Sequence, residues 1–121
     1  RGRTNTPLQA LTLLNDPAYA EMALAMADRV LRETVGQSDS ERLTFAMRLA
    51  VARDATDAEI DILKRLLQQE RLRVESDAAL VKQRTAVPIE SMMLHTEDKT
   101  ELAAWLAVAN AILNLDETIS H

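Results

Sequence analysis

The stretch 98–114, DKTELAAWLAVANAILN, decides the fold. Leu102, Trp105, Leu106, Ala109, Ile112 and Leu113 recur at the three- and four-residue steps that place an apolar stripe along one side of an α-helix. Asp98 stands where an N-cap belongs, and Glu101 follows three residues later. The spacing predicts a helix from about Lys99 to Asn114. Its stripe is the richest in the chain and must cover more than one neighbour.

Working back from it, residues 85–97 contain Pro88 and little periodicity, and read as a long loop, mobile or draped over the surface. Residues 77–81 suit a short helix. Thr56-Asp57-Ala58-Glu59 is a capping box, with hydroxyl to backbone one way and carboxylate back the other. It opens a helix to about Val74, with Ile60, Leu63, Leu66 and Leu67 inward and Lys64, Arg65, Gln68 and Gln69 outward. A further helix begins near Ser40, capped by Asp39 or Ser40, and ends around Arg53. Its face is Leu43, Ala46, Met47 and Ala50, flanked by Phe45 and Leu49.

Proline organises the beginning of the chain. It suits the first position of a helix, and it pushes the residue before it out of the α region. Asp16 therefore caps a helix over Pro17–Thr34, with Tyr19, Met22, Ala23, Met26 and Val30 as its stripe and Gly36 as its stop. Thr6 and Pro7 repeat the device before LQALTLL, a two-turn helix with Leu8, Leu11 and Leu14 near one face. So short a helix is not stable alone and needs a groove made by others. Leu11 or Leu14 is expected to contact Leu106, Ala109 or Leu113. No strand pattern and no internal repeat is seen. The fold class is all-α: an irregular bundle of five or six helices with one core, a single domain over 1–121.

Composition agrees. The chain has 121 residues, 47% apolar and 27% charged, which is enough to bury a modest core. Tyr19, Phe45 and Trp105 are its whole aromatic set, so Leu, Ala, Met, Ile and Val must build the interior. A formal net charge of -5 argues against a nucleic-acid partner. With no cysteine there is no disulfide, thiolate nucleophile or cysteine-ligated metal. The longest apolar run is far short of a membrane span. Arg1 is not a natural start, and the chain reads as a C-terminal fragment of a larger protein.

No constellation has nucleophile-plus-base spacing, and no glycine loop could cradle phosphate. His95 and His121 each lack a second histidine at i+3 or i+4 and read as solvated. Most carboxylates sit at predicted helix starts. Asp116 and Glu117 are the pair without an obvious local task. With Asn110 and Asn114 they form a polar cluster at the end of an apolar helix, and Asn15 and Asp16 at the first corner would lie close if the chain's ends meet. Such oxygens suit a hard cation, although no EF-hand spacing exists, and they equally suit bracing of backbone at helix termini.

Three stretches together resemble a known family: NTPLQALTLLNDPAYAE (5–21), RLAVARDATDAEI (48–60) and ELAAWLAVANAILNLDETI (101–119). They are similar to the C-terminal region of a large domain of unknown function expanded in planctomycetes. That domain commonly follows a cytochrome-c-like segment and a second uncharacterised domain in long exported proteins. The resemblance implies a periplasmic or cell-surface setting and upstream domains of the same polypeptide as partners. Any haem would belong to another part of the parent, because this chain has no Cys-x-x-Cys-His. No catalytic residue is carried over, and no cofactor is expected in this chain. The leading expectation is a non-catalytic structural or interaction module. The alternatives are part of an enzyme site completed by upstream residues, or a small-ligand or cation binder at the asparagine cluster.

Overall fold

The computed structural model describes residues 17–87 and 93–119, with side chains described over 20–87 and 93–115. The described chain is five helices: α1 (Pro17–Glu33), α2 (Asp39–Val51), α3 (Asp57–Glu75), α4 (Ala78–Arg84) and α5 (Lys99–Ile119). They share one core, and no strand occurs among the described residues. The two-turn helix expected over Pro7–Leu14, the corner at Asn15 and Asp16, the contacts of Leu11 and Leu14, the side chain of Tyr19, and His121 lie outside the described residues.

Local capping chemistry sets the helix starts. Thr56 Oγ1 accepts from the Glu59 N–H at 3.1 Å, and the Glu59 carboxylate accepts from the Thr56 N–H at 2.9 Å. Asp98 accepts from the Glu101 N–H at 3.1 Å and Asp77 from the Leu80 N–H at 3.0 Å. For α2 the cap is Ser38, not Asp39 or Ser40: Ser38 Oγ accepts from the Glu41 N–H, and the Glu41 carboxylate returns to the Ser38 N–H at 2.8 Å. Only Ser38 has a glutamate three residues on, so only there can both bonds form.

The ends also shift from the expected positions. α2 stops at Val51, two residues before Arg53, because Ala52 turns left-handed at φ 57° and donates its N–H back to the Arg48 carbonyl. α1 stops at Glu33, and Gly36 takes φ 83° in the turn that follows, a conformation free of strain only for glycine. α4 extends to Arg84 and α5 to Ile119, both longer than predicted.

α5 is the axis of the bundle and packs against all four other helices. Leu102, Trp105, Ala109 and Ile112 are buried as predicted, but Ala103, Ala104 and Val108 are buried too. Leu106 and Leu113 are only half-buried. A stripe suffices for a helix on a surface; a helix surrounded by four others buries most of its circumference. α1 differs in the same way. Its buried side is Ala23, Leu24, Ala27, Asp28, Val30 and Leu31, while Met22 is 48% exposed. The inward face is turned by roughly 100°, one residue step, from the predicted stripe. The alanines let α1 approach α5 closely, which the methionines would not.

No described helix is long and apolar enough to cross a membrane.

The expected surface loop is anchored at its C-terminal half. The Asp28 carboxylate, 3% exposed on α1, accepts the His95 N–H at 3.0 Å, the Thr96 N–H at 2.8 Å and the Thr96 hydroxyl at 2.6 Å. Burial alone would raise the Asp28 pKa; the Thr96 hydroxyl and the two amides outweigh it and hold it below the ordinary aspartate value. Asp28→Ala is expected to cost about 1–3 kcal/mol. It should also speed amide exchange at His95 and Thr96 at least about tenfold. Unchanged exchange at those two amides would rule out the tether.

Candidate functional site

Two features stand out once the helices are in place: a set of ion-pair ties between helices, and one groove. The ties account for the charged residues nearest the core. Arg71 of α3 grips Asp39 of α2 through two parallel bonds of 2.7 and 2.9 Å, and its Nε donates to Glu101 of α5 at 3.1 Å. Glu101 also accepts the Trp105 indole N–H at 3.1 Å. The Arg42 guanidinium lies 3.9 Å from it. The Asp39 carboxyl is held below its usual range, first by the Arg71 hydrogen bonds, against burial. The Arg71 guanidinium is raised further above its already high value.

Arg53 and Glu59 brace the corner between α2 and α3 with bonds of 2.9 and 2.8 Å. Arg53 first, then the Thr56 N–H, pull the Glu59 carboxyl down to about 2. A carboxylate lowered on folding stabilises fully above its unfolded value, here 4.5, and that contribution is lost as pH falls through about 2. Glu59→Gln is therefore expected to lose about 1–2 kcal/mol at pH 7, a discounted value for a pair in contact with water. Denaturation midpoints of the variant and the parent chain should converge as the pH approaches about 2. A constant gap down to that pH would contradict the pair's role.

Glu70 of α3 is 8% exposed and is held by Arg84 of α4 at 2.7 Å. Arg84 also donates to the Ala103 carbonyl of α5 at 3.2 Å. This tie pulls Arg84 down against α3 and α5 and leaves the space beside it open. The groove lies there, about 450 Å³ in volume, between the first turns of α1, the short α4 and the middle of α5. Ala20, Ala23 and Leu24 form one wall, Leu80 and Gln83 a second, Leu106, Ala107 and Asn110 the third. It exists because three of its positions are alanines on long helices, and because α4 is only seven residues long and cannot cover it.

Asn110, one of the lining residues, carries an unmatched polar atom. Asn110 Oδ1 is buried and accepts no hydrogen bond. A buried acceptor without a donor costs about 1–3 kcal/mol. The groove itself is lined mainly by alanine and leucine, with Gln83, Arg84 and Asn110 as its polar members.

Of the polar residues picked out in the sequence, Asn110 lines this groove and Asn114 lies one helical turn further along α5, half-buried. Asn15 and Asp16, and the side chains of Asp116 and Glu117, lie outside the described residues. His95 is exposed in the anchored loop. Among the described residues no group of three or more histidine or acidic side chains converges to hold a metal ion. The groove's other walls were not anticipated. The alanine spacing on α1 was the available signal, and it is indistinguishable from ordinary helix packing until the partner helix is known.

No curated protein and no solved structure matches the chain. The family model of PSD1, described as a protein of unknown function (DUF1553), matches residues 1–67, more than half of the 121 residues. That match takes in two of the three stretches whose likeness was noted in the sequence, through the Thr56–Glu59 capping box and the first half of α3. The chain belongs to this family of proteins of unknown function, PSD1 (DUF1553).

Proposed function

We propose that the chain is a non-catalytic structural and interaction module at the C-terminal end of a larger exported protein, and that its groove grips the upstream part of the same polypeptide. The observation that carries this reading is the groove of about 450 Å³ between α1, α4 and α5, with its largely alanine and leucine walls. The charged residues that tie the helices together support the same view. Asp28, Asp39, Glu59, Glu70, Arg71, Arg84 and Glu101 are each engaged in ties that hold helices or a loop together, so their task is architectural.

The exported setting, at the periplasm or cell surface, is part of the proposal. It is supported by the resemblance of residues 5–21, 48–60 and 101–119 to a planctomycete-expanded domain that follows cytochrome-c-like segments. On this reading any haem sits upstream, and the module itself carries no cofactor. The net charge of -5 supports a protein partner over nucleic acid.

The test is a groove substitution in the full-length parent. Ala107→Glu places a carboxylate in the apolar wall, and Asn110→Leu removes the amide. Ala107→Glu is expected to release the module, seen as faster proteolytic separation from the upstream part, with the helical content of the module kept. A parent whose module stays attached in Ala107→Glu overturns the gripping role. A parent whose module stays attached but whose reaction is lost in Asn110→Leu would show instead that the groove is one wall of an enzyme site.

A further inference from the structure

We propose that the part of the parent gripped by this groove presents a carboxylate, an aspartate or glutamate on an otherwise apolar surface, and that Arg84 receives it. This rests on the gripping role proposed above and names the chemistry of the partner.

Among the described residues, Arg84 is the only charged side chain that lines the groove. It keeps 18% of its side-chain surface exposed. Its bonds within the described chain all leave from one nitrogen: Nη1 donates to the Glu70 carboxylate at 2.7 Å and to the Ala103 carbonyl at 3.2 Å. The opposite edge of the guanidinium, Nε with Nη2, bonds nothing among the described residues. Such an edge offers two parallel N–H groups, the fork that matches a carboxylate. Other ties in this chain use such forks. Arg71 directs Nε and Nη2 to the two oxygens of Glu101, and Arg53 directs Nη1 and Nη2 to the two oxygens of Glu59. Arg84 gives its own anion only one nitrogen.

The charges agree with the geometry. Glu70 is shared by two cations, Arg84 at 2.7 Å and Arg73 at 3.6 Å. Two guanidiniums against one carboxylate leave a surplus of one positive charge. Arg73 is 63% exposed, so water screens its share. Arg84 stands against alanine and leucine walls, where an unmatched charge attracts an anion more strongly. An apolar surface carrying one acidic side chain complements both the walls and the fork.

The test varies charge beside Arg84 without touching its tie. Gln83 lines the groove, is exposed, and precedes Arg84 in the chain. In the full-length parent, Gln83→Glu should separate from the upstream part under proteolysis at least about fivefold faster than Gln83→Lys. Gln83→Lys should separate no faster than the unaltered parent. Arg84→Lys leaves Glu70 a cation but removes the fork, and should also speed separation. Should Arg84→Lys fail to fold by circular dichroism, the Gln83 pair decides alone.

Equal rates for Gln83→Glu and Gln83→Lys would overturn the proposal, and a faster Gln83→Lys would make the partner cationic. Either result leaves the gripping role standing if Ala107→Glu still releases the module. If Ala107→Glu and both Gln83 variants all stay attached, the gripping role fails and the proposal with it. Binding of decanoate but not decanol to the 121-residue chain in that case would assign the fork to a free ligand instead of the parent.

Discussion

Trp105→Ala is expected to destabilise the chain by about 3–5 kcal/mol. For a domain of this size that corresponds to a fall in Tm of about 10–20 °C. Trp105 is 1% exposed and stands among Leu102, Ala109 and the other buried positions of α5. Truncating it removes the largest fully buried side chain and opens a cavity at the helix that every other described helix touches. It also removes the indole N–H that Glu101 accepts. Trp105→Phe separates the two effects: it keeps most of the volume and loses the donor, and should cost about 1–2 kcal/mol. Urea unfolding followed by circular dichroism is the suitable readout, because Trp105 is the only tryptophan and its fluorescence disappears with it. A cost under about 1 kcal/mol for the alanine variant would contradict a packed core at this position.

The second large effect is expected at Arg71. Arg71→Met keeps the length of the side chain but removes the cation that bonds both Asp39 and Glu101, leaving Arg42 as the nearby positive charge. Breaking a fully buried pair costs about 3–5 kcal/mol. These side chains are 32%, 30% and 23% exposed, so solvent screening reduces the expectation to about 2–3 kcal/mol. The pH dependence carries the sign. In the parent chain the lowered Asp39 pKa means a contribution present above the ordinary aspartate range and lost as pH falls through the lower folded value. In Arg71→Met the main cause of the lowered Asp39 pKa is gone, and with it most of that contribution. The stability gap between parent and variant should therefore be widest near pH 7 and narrow on acidification. A gap that widens toward acid would exclude the tie. In a double-mutant cycle, Asp39→Asn with Arg71→Met should recover part of the loss, since it removes one stranded charge.

These two predictions meet at Glu101, whose role shows how far the sequence could be read. Placed three residues after Asp98, it reads as the partner in a local cap. Its N–H does bond Asp98, but its carboxylate serves Arg71, thirty residues earlier, and the indole one turn on. The local half of that role is visible in the sequence because capping is decided within four residues. The distant half depends on α3 and α5 lying side by side, and nothing local encodes that.

The same division holds throughout. The amino-acid sequence by itself determined that the chain is helical, where α3, α4 and α5 begin, that Trp105 is buried, and that no cysteine chemistry is possible. Periodicity and side-chain-to-backbone bonds are short-range physics, so they survive any arrangement of the helices. It determined less where several residues competed for one task, as at Ser38, Asp39 and Ser40, all able to cap, with Glu41 deciding in favour of Ser38. Tertiary structure alone decided which way α1 faces, because its alanine and methionine sides are both apolar and only the approach to α5 separates them. It alone made Asp28 a loop anchor, a buried carboxylate whose donors come from 67 and 68 residues away. It alone formed the groove, since a space bounded by three helices is a property of their packing and of no single helix.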